Sequence, residues 1–385
     1  MHIPKVIFIL LILVGLFVNC NKEQTTEVLS KPCIIPDIEK ILIDNSNQFG
    51  IYCFKQLSLS NEVTENILVS PIGISSSLNS LLQASNNQTN TEIKQILHIN
   101  NIKDSTILKG FNHLNNLYSE IDYNSKIKNL SRIALSKDVY LEPKYKSIDK
   151  NNSFTEIIFD EDAGFIEDIH DKFSEADVNS FQMINAFNFS SKSKYEIRVE
   201  ESPFYKSPNE SNFVEMIVSK SELNYYSDQT VKAVELPLGR GNFNILLIVP
   251  QNTESLIDLC KKLDIKLLER IKKKFRPQLL EVIMPKMELN GIKTLKGILK
   301  SNHLSSGFKK TSADFSQLSK QNNLYLSDFE HITNLNISSN GIEKSDVSSD
   351  SYNKGNTFLI DHPFIFIIYE KYSQGILFIG KIGNL

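Results

Sequence analysis

A chain of 385 residues, 41% of them hydrophobic, can bury a large core in one domain or in two. Its formal net charge of -3, with no unbroken block of one sign, argues against nucleic acid and acidic lipid surfaces as partners. It has no Gly-x-Ser-x-Gly elbow, His-Glu-x-x-His pair, phosphate-binding loop or Gly-x-Gly-x-x-Gly after a strand, and its seven His residues lack metal-ligand spacing. A protein other than an enzyme, without metal or cofactor, is the expectation.

At the N-terminus a short, weakly basic "MHIPK" precedes an apolar run over residues 6–18. That run is shorter than the ~20 residues a bilayer-spanning helix needs, and suits the core of a signal peptide. It ends at Asn19-Cys20, followed by the polar "NKEQTTE". Two readings stand: a lipoprotein-type border with Cys20 as the lipidated first residue, or plain cleavage and secretion. Residues 1–19 are therefore expected to be a signal peptide, residues 20–37 a flexible segment, and the protein exported, extracellular or lipid-anchored at the cell surface. Export permits disulfides, but beyond Cys20 only Cys33, Cys53 and Cys260 remain, which is no disulfide framework. Free buried thiols are expected, with a Cys33–Cys53 bridge as the alternative. Asn-x-Ser/Thr sites at Asn87, Asn129, Asn151, Asn188, Asn209 and Asn336 could carry sugar if the source is eukaryotic.

The first half reads as helical. Ile38, Ile41, Ile43, Phe49, Tyr52, Phe54 and Leu57 mark one amphipathic segment. After the short run "ILV" (67–69), Pro71 opens a second, with Ile74, Leu78, Leu81 and Leu82 on one face. Thr89-x-x-Glu92 has the form of a capping box ahead of Ile93. The second half reads as strands: 231–238 and 243–250 around Gly239-Arg240-Gly241-Asn242, one strand over 279–289, and a terminal hairpin of 364–370 and 375–382 with its turn at 371–374. Helices first and strands later indicate an α+β domain.

Six blocks in order carry a resemblance. "NILVSPIGISSSLNSLLQASNNQTNTEIKQIL" (66–97), "MINAFNF" (183–189), "VKAVELPLGRGNFNILLIVP" (231–250), "VIMPKMEL" (282–289), "TSADFSQLSKQNNLYLSDFEH" (311–331) and "FLIDHPFIFIIYEKYSQGILFIGKIGNL" (358–385) resemble the motifs of the serpins, the serine protease inhibitor superfamily. The resemblance implies a single serpin domain over residues 38–385. Its fold would have a large mixed main sheet, two smaller sheets, a helical N-terminal half and an exposed reactive-centre loop. It implies a monomer whose partners are serine, and by extension cysteine, proteases.

The polar stretch "NGIEKSDVSSDSYNKGN" (340–356) falls where the family carries that loop, here about 342–357. In serpins the loop is protease bait; once cut, its first part enters the main sheet as a new strand and the bound protease is trapped. The resemblance places the hinge at Gly341, Ile342, Glu343, Lys344, Ser345 and Asp346. A strand alternates faces, so Ile342, Lys344 and Asp346 would face the core, where the family has small residues. Burying charge costs several kcal/mol, and pairing Lys344 with Asp346 recovers only part. The family register puts the bait bond at Gly355-Asn356; a shortened loop leaves Lys354 and Tyr352 as alternatives. The resemblance also assigns a shutter cluster of Ser70, Asn185 and His331, with Gly73 in place of a serine. At the loop's entry, Lys286 lacks the usual Glu because Ser339 occupies that position, and Ser193 stands in place of a Trp. An inhibitor that traps poorly is one expectation; a non-inhibitory binding or carrier module, or a protease substrate, is the alternative.

Overall fold

The computed structural model describes residues 30–62, 64–136, 138–145, 155–159, 179–194, 198–207, 209–251, 255–321, 323–338 and 357–385. Helix α1 (Asp37–Ser60) follows Pro36, and Asp37 and Glu39 lie in its first turn, where the helix dipole favours negative charge. Leu42, Ile43, Phe49, Cys53, Phe54 and Leu57 are buried, whereas Ile41, expected inside, is exposed. Gly50 lets α1 approach the next helix closely: a Cβ there would lie 2.3 Å from Cγ of Pro71.

Helix α2 (Pro71–Ala84) is buried along its whole length rather than on one face. Ser70 caps it, accepting from Gly73 N, and Pro71 occupies the position where a missing N–H costs nothing. Most of its polar side chains bond neighbours, Ser77 to Ser131, Ser80 to Thr155, Gln83 to Asn79 and the Asp104 carbonyl, while Ser75 Oγ and Asn79 Nδ2 have no partner among the described residues. Helix α3 (Asn87–Ile96) begins two residues ahead of the expected box. Thr89 and Glu92 do not cap it. Thr89 Oγ1 accepts from Asp314 N at 3.0 Å, and Glu92 Oε2 accepts from Ser306 N at 2.9 Å and Ser306 Oγ at 2.8 Å. Both side chains tie down a segment more than two hundred residues away. Helix α4 is Asp104–Glu120.

Two sheets enclose the core. The five-stranded one runs in the order β10 (Met287–Thr294), β11 (Tyr325–Ser338), β4 (Ser180–Lys192), β2 (Ser125–Leu135), β3 (Thr155–Phe159). It is mixed: β11 pairs β4 in parallel and β2 pairs β3 in parallel, while the other two pairings are antiparallel. The second sheet has the order β1 (Ile67–Val69), β14 (Ile376–Ile382), β13 (Phe364–Glu370), β8 (Phe243–Pro250), β7 (Val231–Leu238), β6 (Glu210–Ser227), β9 (Arg276–Pro285), β12 (Thr357–Leu359), and β5 (Arg198–Ser207) also pairs with β6. The two smaller sheets expected are thus continuous through β6, which meets β7 only over Asn224–Ser227.

The hairpin β7–β8 forms with the ends read from the pattern, and its turn needs Gly239 and Gly241 at φ of +59° and +93°. The run 279–289 is not one strand. It splits at Pro285-Lys286 into β9 and β10, which lie in different sheets. Cys33, Cys53 and Cys260 are free, which sets aside the Cys33–Cys53 bridge. Burial raises all three thiols, Cys33 and Cys260 to about 11. Residues 30–36 form neither helix nor strand, and Lys31 is held by Asn242 through Lys31 N to Oδ1 (3.0 Å) and Nδ2 to Lys31 O (2.7 Å).

Candidate functional site at the β4–β11 seam

The two central parallel strands pair from Tyr325↔Ser180 through to Ser338↔Lys192. A strand added beside β11 on its β4 side would part this pairing. The inward positions of the seam are Phe187 and Phe189 of β4 and Thr333, Leu335 and Ile337 of β11, all buried. Midway, His331 and Asn185 stand opposite one another in register.

The structure brings Ser70, Asn185 and His331 together. His331 is fully buried. Its Nε2 accepts from Ser70 N at 2.9 Å, so its proton sits on Nδ1 and bonds Asn185 Oδ1 at 2.8 Å. Burial pulls the imidazole down to about 3, which keeps it neutral and suits both bonds. The contact spans the seam, and Ser70 couples it to the start of α2. Gly73 has a geometric reason: a Cβ there would lie 2.7 Å from Asn185 Oδ1 and 3.0 Å from Ser70 Oγ. A serine at this position would displace the amide that holds His331.

The network extends further than the sequence reading. Asn185 Nδ2 donates to Asn129 Oδ1 at 3.0 Å, Asn129 Nδ2 to Asn115 Oδ1 at 2.6 Å, and Asn115 Nδ2 to Ser76 Oγ at 3.2 Å. One chain of polar groups thus links β11, β4, β2, α4 and α2. Asn129, noted before only as a glycosylation sequence, has its amide nitrogen directed into this network. The alternation of β2 could have found it, because Ile127, Asn129, Ser131 and Ile133 share one face between Lys126, Lys128 and Arg132.

At the end of the seam, Ser193 bridges Leu238 and Gly239 N donates to Lys192 O at 2.8 Å, pinning β4 to the β7–β8 turn. Lys286 sits at the corner between β9 and β10. Its backbone N donates to Glu215 O at 2.9 Å and its ammonium bonds Glu215 Oε2 at 2.8 Å, which raises its pKa. Glu215 of β6 therefore supplies a carboxylate to Lys286 where Ser339 cannot. Ser339, the hinge residues 341–346, the bond candidates Tyr352, Lys354, Gly355 and Asn356, and the lipidation candidate Cys20 lie outside the described residues. Their flanks are described: β11 ends at Ser338 in one sheet and β12 begins at Thr357, beside Glu281, in the other.

Known proteins share this architecture. Protease nexin-1, solved with heparin, superposes with a TM-score of 0.78 at 19% identity, over 91% of this chain and 100% of that one. Uncleaved ovalbumin gives 0.76 at 19% identity, over 89% and 100%. By sequence the chain is 28% identical over 192 residues to the leukocyte elastase inhibitor of Xenopus laevis, spanning 47% of this chain and 51% of that protein. The chain thus matches about half the length of that relative and of the mouse plasminogen activator inhibitor 2, at 47%. An uncharacterised serpin-like protein of Thermococcus kodakarensis is 24% identical over 90% of this chain and 86% of its own length. The family described as Serpin (serine protease inhibitor) matches residues 44–385, and the chain belongs to it.

Proposed function

We propose that this serpin is exported, presents residues about 342–357 to serine or cysteine proteases, and traps them poorly, being cut mainly as a substrate. The apolar run over residues 6–18 supports export, and family membership supports engagement of proteases. Poor trapping follows from what the seam offers an incoming strand. Its buried side chains in the half that ends at Ser338 include Phe187, Phe189, Thr333, Leu335 and Ile337. Lys344 and Asp346 would have to face that interior, and each charge taken from water costs several kcal/mol before any pairing is counted. Insertion competes with hydrolysis of the acyl-enzyme, so any penalty on insertion shifts the outcome toward a cut loop and a free protease. The mismatch between a fully paired seam, lined mainly by apolar side chains, and a hinge that carries Lys344 and Asp346 is the observation that carries this reading.

The experiment is incubation of the purified protein with trypsin-like, chymotrypsin-like, elastase-like and papain-like proteases, resolved by denaturing gel and mass spectrometry. Cleavage inside 342–357 with few covalent complexes is expected. Complexes at near one-to-one yield would overturn poor trapping. Absence of both cleavage and complex would favour a binding or carrier module instead.

A further inference from the structure

The chain-wide charge of -3 hides a local one. Residues 256–276 hold eight Lys or Arg against Asp258, Asp264 and Glu269, a net +5, so the rest of the chain carries -8. This revises the expectation, drawn from total charge, that acidic surfaces are poor partners. The segment folds as α5 (Leu256–Lys262) and α6 (Ile265–Lys273). Leu267, Leu268 and Ile271 of α6 are buried, and helical geometry puts Lys266, Arg270 and Lys273 on the opposite face with Glu269 among them. Lys262, Lys266 and Arg270 also rim a groove against Thr230 and Val231.

Of the carboxylates within reach, Asp264 and Asp228 are engaged mainly by other groups, whereas Asp258 and Glu269 each pair with one lysine of the face. Asp264 accepts from Leu267 N as the cap of α6, Asp258 takes Ser255 and Lys261, and Asp228 takes Tyr226, Thr230 and Val231 while lying 3.8 Å from Arg270. Glu269 is 3.4 Å from Lys273. The face therefore keeps an excess of positive charge.

Where the chain enters decides the class of partner. Ser30, the first described residue, bonds Tyr372 through its hydroxyl at 2.7 Å, in the turn between β13 and β14. Gln374 of that turn accepts from Lys272 of α6 at 2.6 Å. Ser30 is thus held at the turn that contacts the C-terminal end of α6. A lipid on Cys20, ten residues upstream and the first residue once the signal peptide is removed, would sit on a tether that reaches about 35 Å when fully extended. A single hydrophobic anchor binds membranes marginally, and a polybasic surface is the usual second contribution. We propose that the outward face of α5 and α6 docks on an anionic phospholipid bilayer. The docking is independent of whether the loop traps proteases.

The test is flotation of the full chain with vesicles of phosphatidylcholine alone and with about 30% phosphatidylglycerol, at low salt and at about 1 M salt, where the Debye length is about 3 Å. Binding through the apolar run is the same on both vesicles; binding through the basic face is not. An excess of about a hundredfold for anionic vesicles at low salt, abolished at high salt, is expected. The combined variant Lys266→Gln, Arg270→Gln, Lys273→Gln should lose at least about tenfold of that excess with its melting curve and neutral-vesicle binding unchanged. The charge-conserving pair Lys266→Arg, Lys273→Arg should retain it. Equal partitioning onto the two vesicles, or an excess that survives in the glutamine variant, would overturn the proposal. Retention on a sulfated polysaccharide or on DNA without any anionic-vesicle excess would overturn it as well, and assign the face to a soluble polyanion.

Discussion

His331 has no access to water, and both of its ring nitrogens are taken by neutral groups, the Ser70 N–H and the Asn185 carbonyl oxygen. Protonating Nε2 would replace an accepted hydrogen bond with two donors facing each other, in a site too dry to stabilise the charge. Its folded value of about 3 lies below the ordinary 6.5, so the unfolded chain binds the proton first as pH falls. Above 6.5 both states are neutral and the contribution to stability is complete; from there down to about 3 it declines by about 1.4 kcal/mol per pH unit. Urea unfolding at about pH 7.5 and at about pH 5 should therefore show wild type losing about 2 kcal/mol more than His331→Gln. Parallel losses in the two proteins would mean that His331 does not set this pH dependence. The same closeness that excludes water explains Gly73, since a side chain at that position would push on the amide that orients the ring.

At the scale of elements, the link between α3 and the segment 306–314 gives the next expectation. Glu92 is buried and holds the N–H and hydroxyl of Ser306, so Glu92→Ala leaves a buried donor without an acceptor, a loss of about 1–3 kcal/mol. Hydrogen exchange should show the Ser306 amide deprotected in Glu92→Ala while the amides of α3 keep their protection. Deprotection of the first turn of α3 instead would restore the capping-box reading. The pattern Thr-x-x-Glu could not decide between the two, because the residues it bonds lie far along the chain and Asn86 holds the cap position. Elsewhere the local pattern was sufficient. The hairpin β7–β8 and the terminal hairpin could be read directly, because apolar runs with Gly or polar turns leave few alternatives. The break at Lys286 was not legible, since apolar residues continue on both sides of Pro285 while the sheet they pack in changes. The full burial of α2 was hidden by its serines, which look like a solvent face, whereas Ser77, Ser80 and Ser76 bond β2, β3 and α4. In the seam, family motifs located Ser70, Asn185 and His331, but the partners Asn129, Asn115 and Ser76 follow only from the tertiary arrangement.

For the whole molecule, the decisive question is whether the five-stranded sheet gains a strand when the loop is cut. Gaining one requires opening the β4–β11 ladder, separating Asn185 from His331, and reforming two ladders around the newcomer. One ladder is opened and two are formed, a gain in backbone bonds that any inserted strand shares, so the difference between hinge sequences falls to the side chains that change surroundings. Ile342 would add apolar surface to the interior on entry, which favours it. Lys344 and Asp346 would follow it among Phe187, Phe189, Thr333 and Leu335, which opposes entry by several kcal/mol even when they pair. Cutting the loop of the wild-type protein should therefore leave its melting temperature nearly unchanged. The variant Lys344→Ala, Asp346→Ala removes the opposing contribution, and its cleaved form should melt on the order of 5–10 °C above its uncut form. Adding Ile342→Thr separates hinge polarity from hinge charge, because it removes apolar burial and should take back part of that gain. If the cleaved wild type already melts as far above its uncut form as the cleaved variant does, the two charges present no obstacle to insertion, and the proposal that the hinge impairs trapping fails.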